Sequence, residues 1–362
     1  MSKVYFTDMH ISDNENLPQK FKRLILTAGI DKIDFENKYV AIKLHFGERG
    51  NLAYLRPQYA RALADVIRDL GGKPFLTDCN TLYPGSRKHA LEHIDTAYEN
   101  GYTPYATGCH VIIADGIRGG DEVYVPIDGE YVKEAKIGSA IMAADIIISL
   151  THFKCHEQTG VGGAIKNLGM GCGSRAGKME MHASGKPVIV KANCILCGAC
   201  AKACAHGAPV IKDGKMFIDH EKCLGCGRCI ARCPMDAVVP GTDSMRDELN
   251  CKMTEYAYAV CKDRPHFHIS LAIDISPCCD CHNSNDVPVV PDVGMFASFD
   301  PVAIDQACCD AVNAQKPLPG GCIAGESGEP IMSVHPDTNW HTQLLHGKKI
   351  GLGTDEYELI KI

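Results

Sequence analysis

Two cysteine runs between residues 194 and 233 have the residue types and the spacing for redox chemistry. The first run reads CILCGACAKAC and the second reads CLGCGRCIARCP, with eighteen residues between them. Each run follows the pattern C-x2-C-x2-C-x3-C, in which cysteine thiolates hold a [4Fe–4S] cluster. The eight cysteines of the pattern are Cys194, Cys197, Cys200, Cys204, Cys223, Cys226, Cys229 and Cys233. The double run therefore predicts two [4Fe–4S] clusters that carry single electrons.

The order of the cysteines also predicts which of them share a cluster. In such runs the first three cysteines hold one cluster, and the fourth ligates the other. The expected ligands of cluster one are Cys194, Cys197, Cys200 and Cys233. Those of cluster two are Cys223, Cys226, Cys229 and Cys204. Ala205 stands where the second run has Pro234, a difference that changes a turn and no ligand.

A second group of polar side chains follows apolar segments that have the pattern of buried strands. Lys43 and His45 end one such segment, and Asp78 and Asn80 lie at the end of the next. In open α/β sheets, ligands bind beyond the carboxyl ends of the strands. We therefore expect these four side chains to lie at one edge of the sheet, although each of them alone is typical of a solvated loop.

The most apolar segment, residues 145–150, leads into a stretch rich in glycine and cations. Lys154 and His156 follow the segment closely, and a glycine-rich turn at residues 160–163 precedes a helix start that contains Lys166. Free N–H groups at a helix start bind anions, and the cationic side chains add donors. The glycines match neither common nucleotide-binding motif, and close packing is the alternative explanation for them. The candidate catalytic residues are Lys43, Lys154, His156 and Lys166.

A further group of thiols, Cys278, Cys279 and Cys281, precedes His282 just past another predicted strand. These soft ligands suit zinc, iron or part of another cluster, so a third metal site or a redox role is expected here. The alternative is that the cysteines are simply small buried side chains, which best fits Cys308 and Cys309 within a predicted helix.

The segments that position these residues alternate between strand and helix patterns. Strand patterns cover residues 4–7, 39–45, 73–78, 111–115, 122–127, 145–150, 267–275 and 291–299, and a short one is expected within 344–362. Helix patterns cover residues 17–28, 56–70, 86–99, 137–144 and 244–260, and Asp300 with Pro301 should begin another. The alternation predicts an α/β fold with a doubly wound, mostly parallel sheet. We expect residues 188–240 to form a small ferredoxin-like domain that interrupts the α/β domain of residues 1–187 and 241–362.

Composition and charge exclude several classes of protein. The net charge of −7 and the pI of about 6.1 lack the basic footprint of a nucleic-acid binder. Residues 1–10 lack the apolar core of a signal peptide, and no apolar run approaches the ~20 residues of a membrane-spanning helix. Twenty cysteines without a secretion signal favour a reducing cytoplasm, such as that of an anaerobe, over a secreted disulfide scaffold.

Several stretches resemble the DUF362 family in its form with an inserted ferredoxin domain. They are residues 41–43, 145–150 with 153–156, 159–168 and 298–305. Family members commonly have K-T-H where this chain has Lys154, Cys155 and His156, so the chain adds a thiol near the expected site. The resemblance implies an α/β fold and a redox role through the ferredoxin module, and it implies no substrate.

Three functions fit these observations. The leading hypothesis is an iron–sulfur oxidoreductase or electron-transfer protein that exchanges electrons between a partner, such as ferredoxin or flavodoxin, and a site in the α/β domain. That site would bind a small anionic substrate. The second hypothesis is a module that binds or delivers a metal or an iron–sulfur cluster. The third is a pure electron carrier, for which more than 300 residues of α/β domain would be a large scaffold.

Overall fold

The computed structural model describes residues 1–11, 14–83, 85–182, 186–204, 206–223, 229, 233–235, 237–239, 244–323 and 328–362. Its strands are β1 (Ser2–Thr7), β2 (Tyr39–Lys43), β3 (Lys73–Asp78), β4 (Val111–Ile113), β5 (Glu122–Pro126), β6 (Glu134–Gly138), β7 (Ile146–His152), β8 (Lys154–His156), β9 (Gly160–Gly162), β10 (Val188–Ile189), β11 (Pro209–Lys212), β12 (Lys215–Ile218), β13 (Val238–Val239), β14 (His266–Ala272), β15 (Gly294–Ser298) and β16 (Tyr357–Lys361). Its helices are α1 (Leu17–Thr27), α2 (Pro57–Asp69), α3 (Ala90–Glu99), α4 (Pro104–Thr107), α5 (Ser139–Met142), α6 (Ala164–Cys172), α7 (Arg175–His182), α8 (Ala199–Ala203), α9 (Ser244–Cys261), α10 (Pro301–Asn313), α11 (Pro330–Val334) and α12 (His341–Lys349).

An eight-stranded sheet forms the centre of the fold, in the order β16-β1-β15-β14-β7-β2-β3-β4. All neighbouring strands in it pair in parallel except β15, which runs antiparallel to both β1 and β14. Every residue of β7 is buried, as expected for a central strand with helices on both faces. The predicted mostly parallel α/β sheet is confirmed.

The two faces of the sheet bury separate hydrophobic clusters, because successive side chains of a strand point to opposite faces. Val40 and Ile42 of β2 pack in the cluster that contains the apolar residues of α1 and α2. Ala41 packs on the other face, with apolar residues of α6, α9 and α10. The sheet is therefore covered by helices on both faces. Within the part of the chain that is described, no helix is long and apolar enough to cross a membrane.

Some predicted elements differ from the structure. The helix expected over residues 137–144 is wrong: β6 occupies its start and pairs with β5 (Ile137 opposite Val123), so only the short α5 remains. The helix expected over residues 86–99 begins at Ala90, where the His89 side chain accepts the cap bond from the Glu92 N–H. Helix α12 lies in the stretch where only a strand was expected, and the strand itself is present as β16.

The cysteine-rich stretch has its own small core. Strand β10 pairs with β13, which brings residues 188 and 239 together, and β11 and β12 form a hairpin. Asp213 and Gly214 in the hairpin turn have φ values of 50° and 67°. A separate apolar cluster contains Cys200, Met216, Cys229 and Val238, with Ile189, Cys194 and Cys233 packed against it.

Candidate functional site

The carboxyl ends of two adjacent parallel strands bring a buried ion pair together. Lys43 ends β2, Asp78 ends β3, and the Lys43 Nζ lies 3.1 Å from the Asp78 Oδ1. The Lys43 ammonium also donates to the Leu44 carbonyl at 3.0 Å and to the Asn167 Oδ1 at 2.7 Å. These three acceptors use all three donors of the ammonium. Lys43 therefore acts in this structure as a positioning group at the base of the site.

Asn167, in the second turn of α6, links the helix to the strand ends. Its amide nitrogen donates to the Lys43 carbonyl at 3.0 Å, the Leu150 carbonyl at 3.3 Å and the Thr151 Oγ1 at 3.0 Å. Its oxygen accepts from the Lys43 ammonium, so both ends of the amide are satisfied. The amide fixes α6 over the ends of β2 and β7 and thereby places Lys166 over the site.

Asp78 is part of a charged network that extends into the loop before α3. The Arg87 Nη1 lies 3.6 Å from the Asp78 Oδ2, and the Arg87 Nε lies 3.2 Å from the Glu48 Oε2. Burial by itself raises the pKa of Asp78, but the charges of Lys43 and nearby histidines hold it well below its usual range. Both carboxylates are therefore ionised, and the buried Arg87 is held between them.

A second network joins β7 to the loop that follows β14. The His152 Nδ1 lies 2.8 Å from the Asp280 Oδ1, and its Nε2 lies 2.8 Å from the Ile273 carbonyl. The Lys154 Nζ donates to the His152 carbonyl at 2.8 Å and lies 3.2 Å from the Asp280 Oδ2. Burial lowers the pKa of Lys154, but the charges of Asp280 and Cys279 outweigh it and raise that pKa. Lys154 is therefore a buried cation beside the thiols.

Cys279 is a buried cysteine of this network with a lowered pKa. A hydrogen bond with Cys281, the charges of Lys166 and Lys154, and a hydrogen bond with His156 hold the pKa of Cys279 well below that of an ordinary thiol, against the effect of burial. The same bond to Cys279, together with burial, raises the pKa of Cys281 well above its usual value. The Lys166 Nζ lies 3.9 Å from the Cys279 sulfur. These opposite pKa shifts favour the thiolate form at Cys279 and the protonated thiol at Cys281.

The proton position on His156 follows from its neighbours. Its Nδ1 accepts from the backbone N–H groups of Gln158 at 3.1 Å and Thr159 at 3.2 Å. A nitrogen that accepts two N–H bonds carries no proton, so the neutral ring carries its proton on Nε2. His156 can thus donate from Nε2 to the Cys279 sulfur.

Two groups of possible metal ligands overlap at this place. His156, Cys279 and Cys281 form one group, and Glu157, Cys281 and His282 form the other; the ligand atoms within each group lie within 4.8 Å of one another. The His282 Nε2 lies 3.2 Å from the Glu157 Oε1, and this bond raises the pKa of His282. The cysteine and histidine side chains here could hold a metal ion.

The start of α6 already has a carboxylate bound to it. The two oxygens of Asp305, on α10, accept from the Ala164 N–H at 2.6 Å and the Ile165 N–H at 2.9 Å. A Cβ at Gly163 would lie 2.3 Å from the Asp305 Oδ1, so only glycine leaves room for this contact. The carboxyl group of the chain's own Asp305 therefore occupies this helix start, and an external anion would have to bind at the side chains of Lys154 and Lys166.

Four thiols of the cysteine-rich stretch line one cavity: Cys194, Cys197, Cys200 and Cys233. The fourth cysteine of each run accepts a backbone N–H from the residue four positions later: Ala208 to the Cys204 sulfur at 3.4 Å, and Ala237 to the Cys233 sulfur at 3.1 Å. The two runs therefore have the same local geometry at this position. Cys226 lies outside the described residues.

Residues 40–310 match the family described as "Domain of unknown function (DUF362)". This span includes most of the chain, with both networks at the strand ends and the cysteine-rich stretch. The chain belongs to the DUF362 family.

Three individual proteins are similar to parts of this DUF362 protein. The "Thylakoid-associated protein sll1697" of Synechocystis sp. is 29% identical over 123 residues, which are 34% of this chain and 34% of that protein. The chain thus matches about a third of the length of that relative. Among solved structures, the lactate racemase apoprotein from Thermoanaerobacterium thermosaccharolyticum has a TM-score of 0.39 at 10% identity, covering 86% of this chain and 57% of that one. A structural-genomics protein from Thermotoga maritima has a TM-score of 0.36 at 12% identity, with 72% and 52% covered.

The structure of this DUF362 chain brings together most of the residues expected at the strand ends. Lys43 and Asp78 form one network, and Lys154, His156 and Lys166 surround Cys279. Cys308 and Cys309 are buried on α10, as the packing explanation expected. Sequence reasoning missed further members of the networks, namely Glu48, Arg87, His152, Asn167 and Asp280. Asp280 lies between Cys279 and Cys281, two of the candidate metal ligands, and this position in the sequence could have indicated that it belongs to the site.

Proposed function

We propose that this DUF362 protein is an iron–sulfur oxidoreductase in which a ferredoxin-type segment exchanges electrons with the thiolate site of the α/β domain. The observation that carries the proposal is the convergence of Cys194, Cys197, Cys200 and Cys233 on one cavity. These are the four cysteines that the ligand order of a double run assigns to one cluster. The pairing of β10 with β13 supports a self-contained insert at residues 188–240.

The donor set of the segment fits the clusters. Thiolates are the ligands of [4Fe–4S] clusters, and hydrogen bonds to their sulfurs tune the potential. The N–H donors of Ala208 and Ala237 supply such bonds to Cys204 and Cys233. Bound clusters would supply single electrons at low potential. The expected external partner is a one-electron carrier such as ferredoxin or flavodoxin.

The residues around Cys279 would bind and protonate a small anionic substrate. Lys166 and Lys154 supply positive charge beside the sulfur, and Lys166 extends from the helix that Asn167 fixes in place. His156 holds a proton on Nε2, and Cys281 holds one on its thiol, both within reach of the same sulfur. A buried site with fixed cations and two proton donors suits a substrate that gains electrons and protons together. The expected location is a reducing cytoplasm, in which thiolate-held clusters and the twenty cysteines of the chain would stay reduced.

Iron content tests the cluster part of the proposal. The anaerobically purified protein should contain about eight iron and eight sulfide per chain and give an EPR signal after reduction with dithionite. Cys197→Ser and Cys204→Ser should each lower the iron content to about half, because they remove ligands of different clusters. Cys109→Ser changes a buried thiol of the α/β domain and should leave the iron content unchanged. A wild-type protein with clearly fewer than about eight iron atoms would contradict the proposal.

Electron exchange with a partner is tested in the same preparation. Addition of reduced ferredoxin or flavodoxin under anaerobic conditions should bleach the visible absorbance of the clusters. Clusters that dithionite reduces but that neither carrier reduces would contradict this partner class.

A second candidate function is a metal centre in the α/β domain, which would make the protein a metal-binding or delivery module. The closeness of His156, Cys279 and Cys281 favours it. Against it, a histidine that ligates a metal usually donates its other ring N–H to an acceptor, whereas the His156 Nδ1 faces two donors. Metal analysis distinguishes the oxidoreductase from the metal-binding module. The metal centre would be favoured if the protein held metal in addition to about eight iron atoms, and if Cys279→Ala and Cys281→Ala each lost that additional metal.

A further inference from the structure

Three possible metal ligands lie together where α9 ends and β14 begins, whereas the thiolate site lies beyond the carboxyl ends of the strands. Cys261 is the last residue of α9, and His266 and His268 lie at the start of β14. One ligand atom from each lies within 4.8 Å of the other two. We propose that Cys261, His266 and His268 form a binding site for a divalent zinc-type ion, independent of the proposed function.

The chain brings these residues together through a short connection. The segment reads CKDRPHFH, so four residues separate Cys261 from His266, and one separates the two histidines. Positions two apart on a strand share a face, so both imidazoles lie on the side that carries α9. Asp263 in the connecting turn has a φ of 59°, which reverses the chain between helix and strand. The spacing therefore presents one thiol and two imidazoles to a single point.

The two imidazoles face each other through nitrogen atoms. The His266 Nδ1 lies 2.9 Å from the His268 Nε2, so without a metal the two atoms share one proton. Zinc binds histidine nitrogen at about 2.0–2.1 Å and cysteine sulfur at about 2.3 Å. In a tetrahedral site, two nitrogens would then lie about 3.3 Å apart, and a nitrogen and the sulfur about 3.6 Å apart. An ion can therefore replace the shared proton after the two rings separate by a few tenths of an ångström.

A neighbour on the adjacent strand can hold His268 in the required tautomer. The His268 Nδ1 lies 2.9 Å from the Ser149 Oγ, and Ser149 lies opposite His268 in the parallel pairing of β7 and β14. A hydroxyl can accept from Nδ1–H, which leaves the lone pair of Nε2 free for the ion. Such outer partners orient ligating histidines. His268 is fully buried and Cys261 nearly so, whereas His266 is half-buried.

The ligand types indicate the class of ion. One thiolate and two imidazoles suit zinc and the related divalent transition metals, whereas magnesium and calcium prefer oxygen. Three protein ligands leave a fourth position for water, which can enter on the partly exposed side of His266. The ion would fix the end of α9 to the start of a central strand.

Cobalt binding to the full-length, cluster-loaded protein tests the proposal, because Co²⁺ in a thiolate site has a charge-transfer absorption. Wild type should bind Co²⁺ with such a band, and zinc should displace it. The part of the band due to this site should be lost in Cys261→Ser and in His266→Gln. Because His266 is less buried than Cys261, His266→Gln keeps the test possible if Cys261→Ser fails to fold. Cys251→Ala, a buried thiol of the same helix, should keep the band.

Ser149→Ala should weaken cobalt binding by about tenfold or more, since outer partners of ligating histidines have effects of that size. A cobalt spectrum that is the same in wild type, Cys261→Ser and His266→Gln would overturn the proposal, because the ion would then be bound elsewhere. Absence of any thiolate–cobalt band in wild type would overturn it as well. Neither result depends on whether the protein transfers electrons, so this test is separate from those of the proposed function.

Discussion

Replacing Lys166 by glutamine should raise the pKa of Cys279, because the lysine charge is one of the factors that hold the thiolate. The Lys166 Nζ lies 3.9 Å from the Cys279 sulfur. At that distance two unit charges attract by about 4 kcal/mol with an effective dielectric constant near 20, and by about 1 kcal/mol in water. With about 1.4 kcal/mol for each pKa unit, the pKa of Cys279 should rise by about one to three units.

Alkylation by iodoacetamide measures this pKa, since the thiolate is the reactive form. The rate at Cys279 would be followed anaerobically from about pH 5 to about pH 10 in metal-free buffer, with peptide fragmentation to separate Cys279 from its neighbours. In Lys166→Gln the midpoint of the rate profile should move to higher pH. At pH values below the wild-type midpoint, the rate should fall by about tenfold to about a thousandfold.

Two variants make the result specific. Lys166→Arg keeps the charge and should keep the midpoint near that of wild type, whereas Lys316→Gln removes an exposed lysine elsewhere and should change nothing. An unchanged midpoint in Lys166→Gln would refute the electrostatic account of the thiolate. A Cys279 that reacts only after treatment with a chelator would instead support the metal centre.

Three further predictions concern the contacts that build the site. Gly163→Ala should lower the free energy of unfolding by about 1–3 kcal/mol through overpacking, because the new Cβ would lie 2.3 Å from the Asp305 Oδ1. Denaturant unfolding would measure this loss of stability. Burial raises the pKa of Asp305 from 3.8 to about 7. Wild type should therefore lose up to about 4 kcal/mol of stability as the pH rises from 4 through 7, because the unfolded chain releases this proton at a lower pH. Melting curves at several pH values should show this loss in wild type and not in Asp305→Asn. A melting profile with the same pH dependence in both proteins would contradict this assignment. Asp78→Asn leaves the buried Lys43 without its anion and should cost about 3–5 kcal/mol. Asp128→Asn, at the exposed pair with Lys133, should cost under about 1 kcal/mol. Equal losses in denaturant unfolding would show that burial does not set the cost.

The sheet and part of the site could be predicted because both depend on local patterns. Continuous apolar runs mark the buried parallel strands, and the rule that ligands bind at strand ends placed Lys43, Asp78 and Lys154 together. The helix expected over residues 137–144 failed for a tertiary reason. Ile137 pairs with Val123 in a hairpin, and a short apolar stretch can follow either pattern.

The rest of the site depends on contacts between residues far apart in the chain. Asp305 accepts hydrogen bonds from Ala164, 141 positions away, and His152 bonds to Asp280, 128 positions away. No spacing or periodicity in the sequence encodes such pairs. The sequence pattern predicted a bound carboxylate or phosphate at the start of α6, but it could not reveal that Asp305 of the chain itself occupies that place.

Two groups of cysteine and histidine, one around Cys279 and one around Cys261, contain the same types of metal ligand. The hydrogen-bond partners of their histidines predict different affinities for a metal ion. At His156 the second ring nitrogen faces two backbone donors, so the nitrogen nearest Cys279 keeps its proton and favours a hydrogen-bonded thiolate. At His268 the second ring nitrogen faces the Ser149 hydroxyl, which can accept, so the other nitrogen can give its lone pair to an ion. Cobalt should therefore bind in the Cys261 group more tightly than at Cys279. The reverse order of affinities, read from Cys261→Ser and Cys279→Ala, would mean that the thiols rather than the outer partners of the histidines decide where a metal binds.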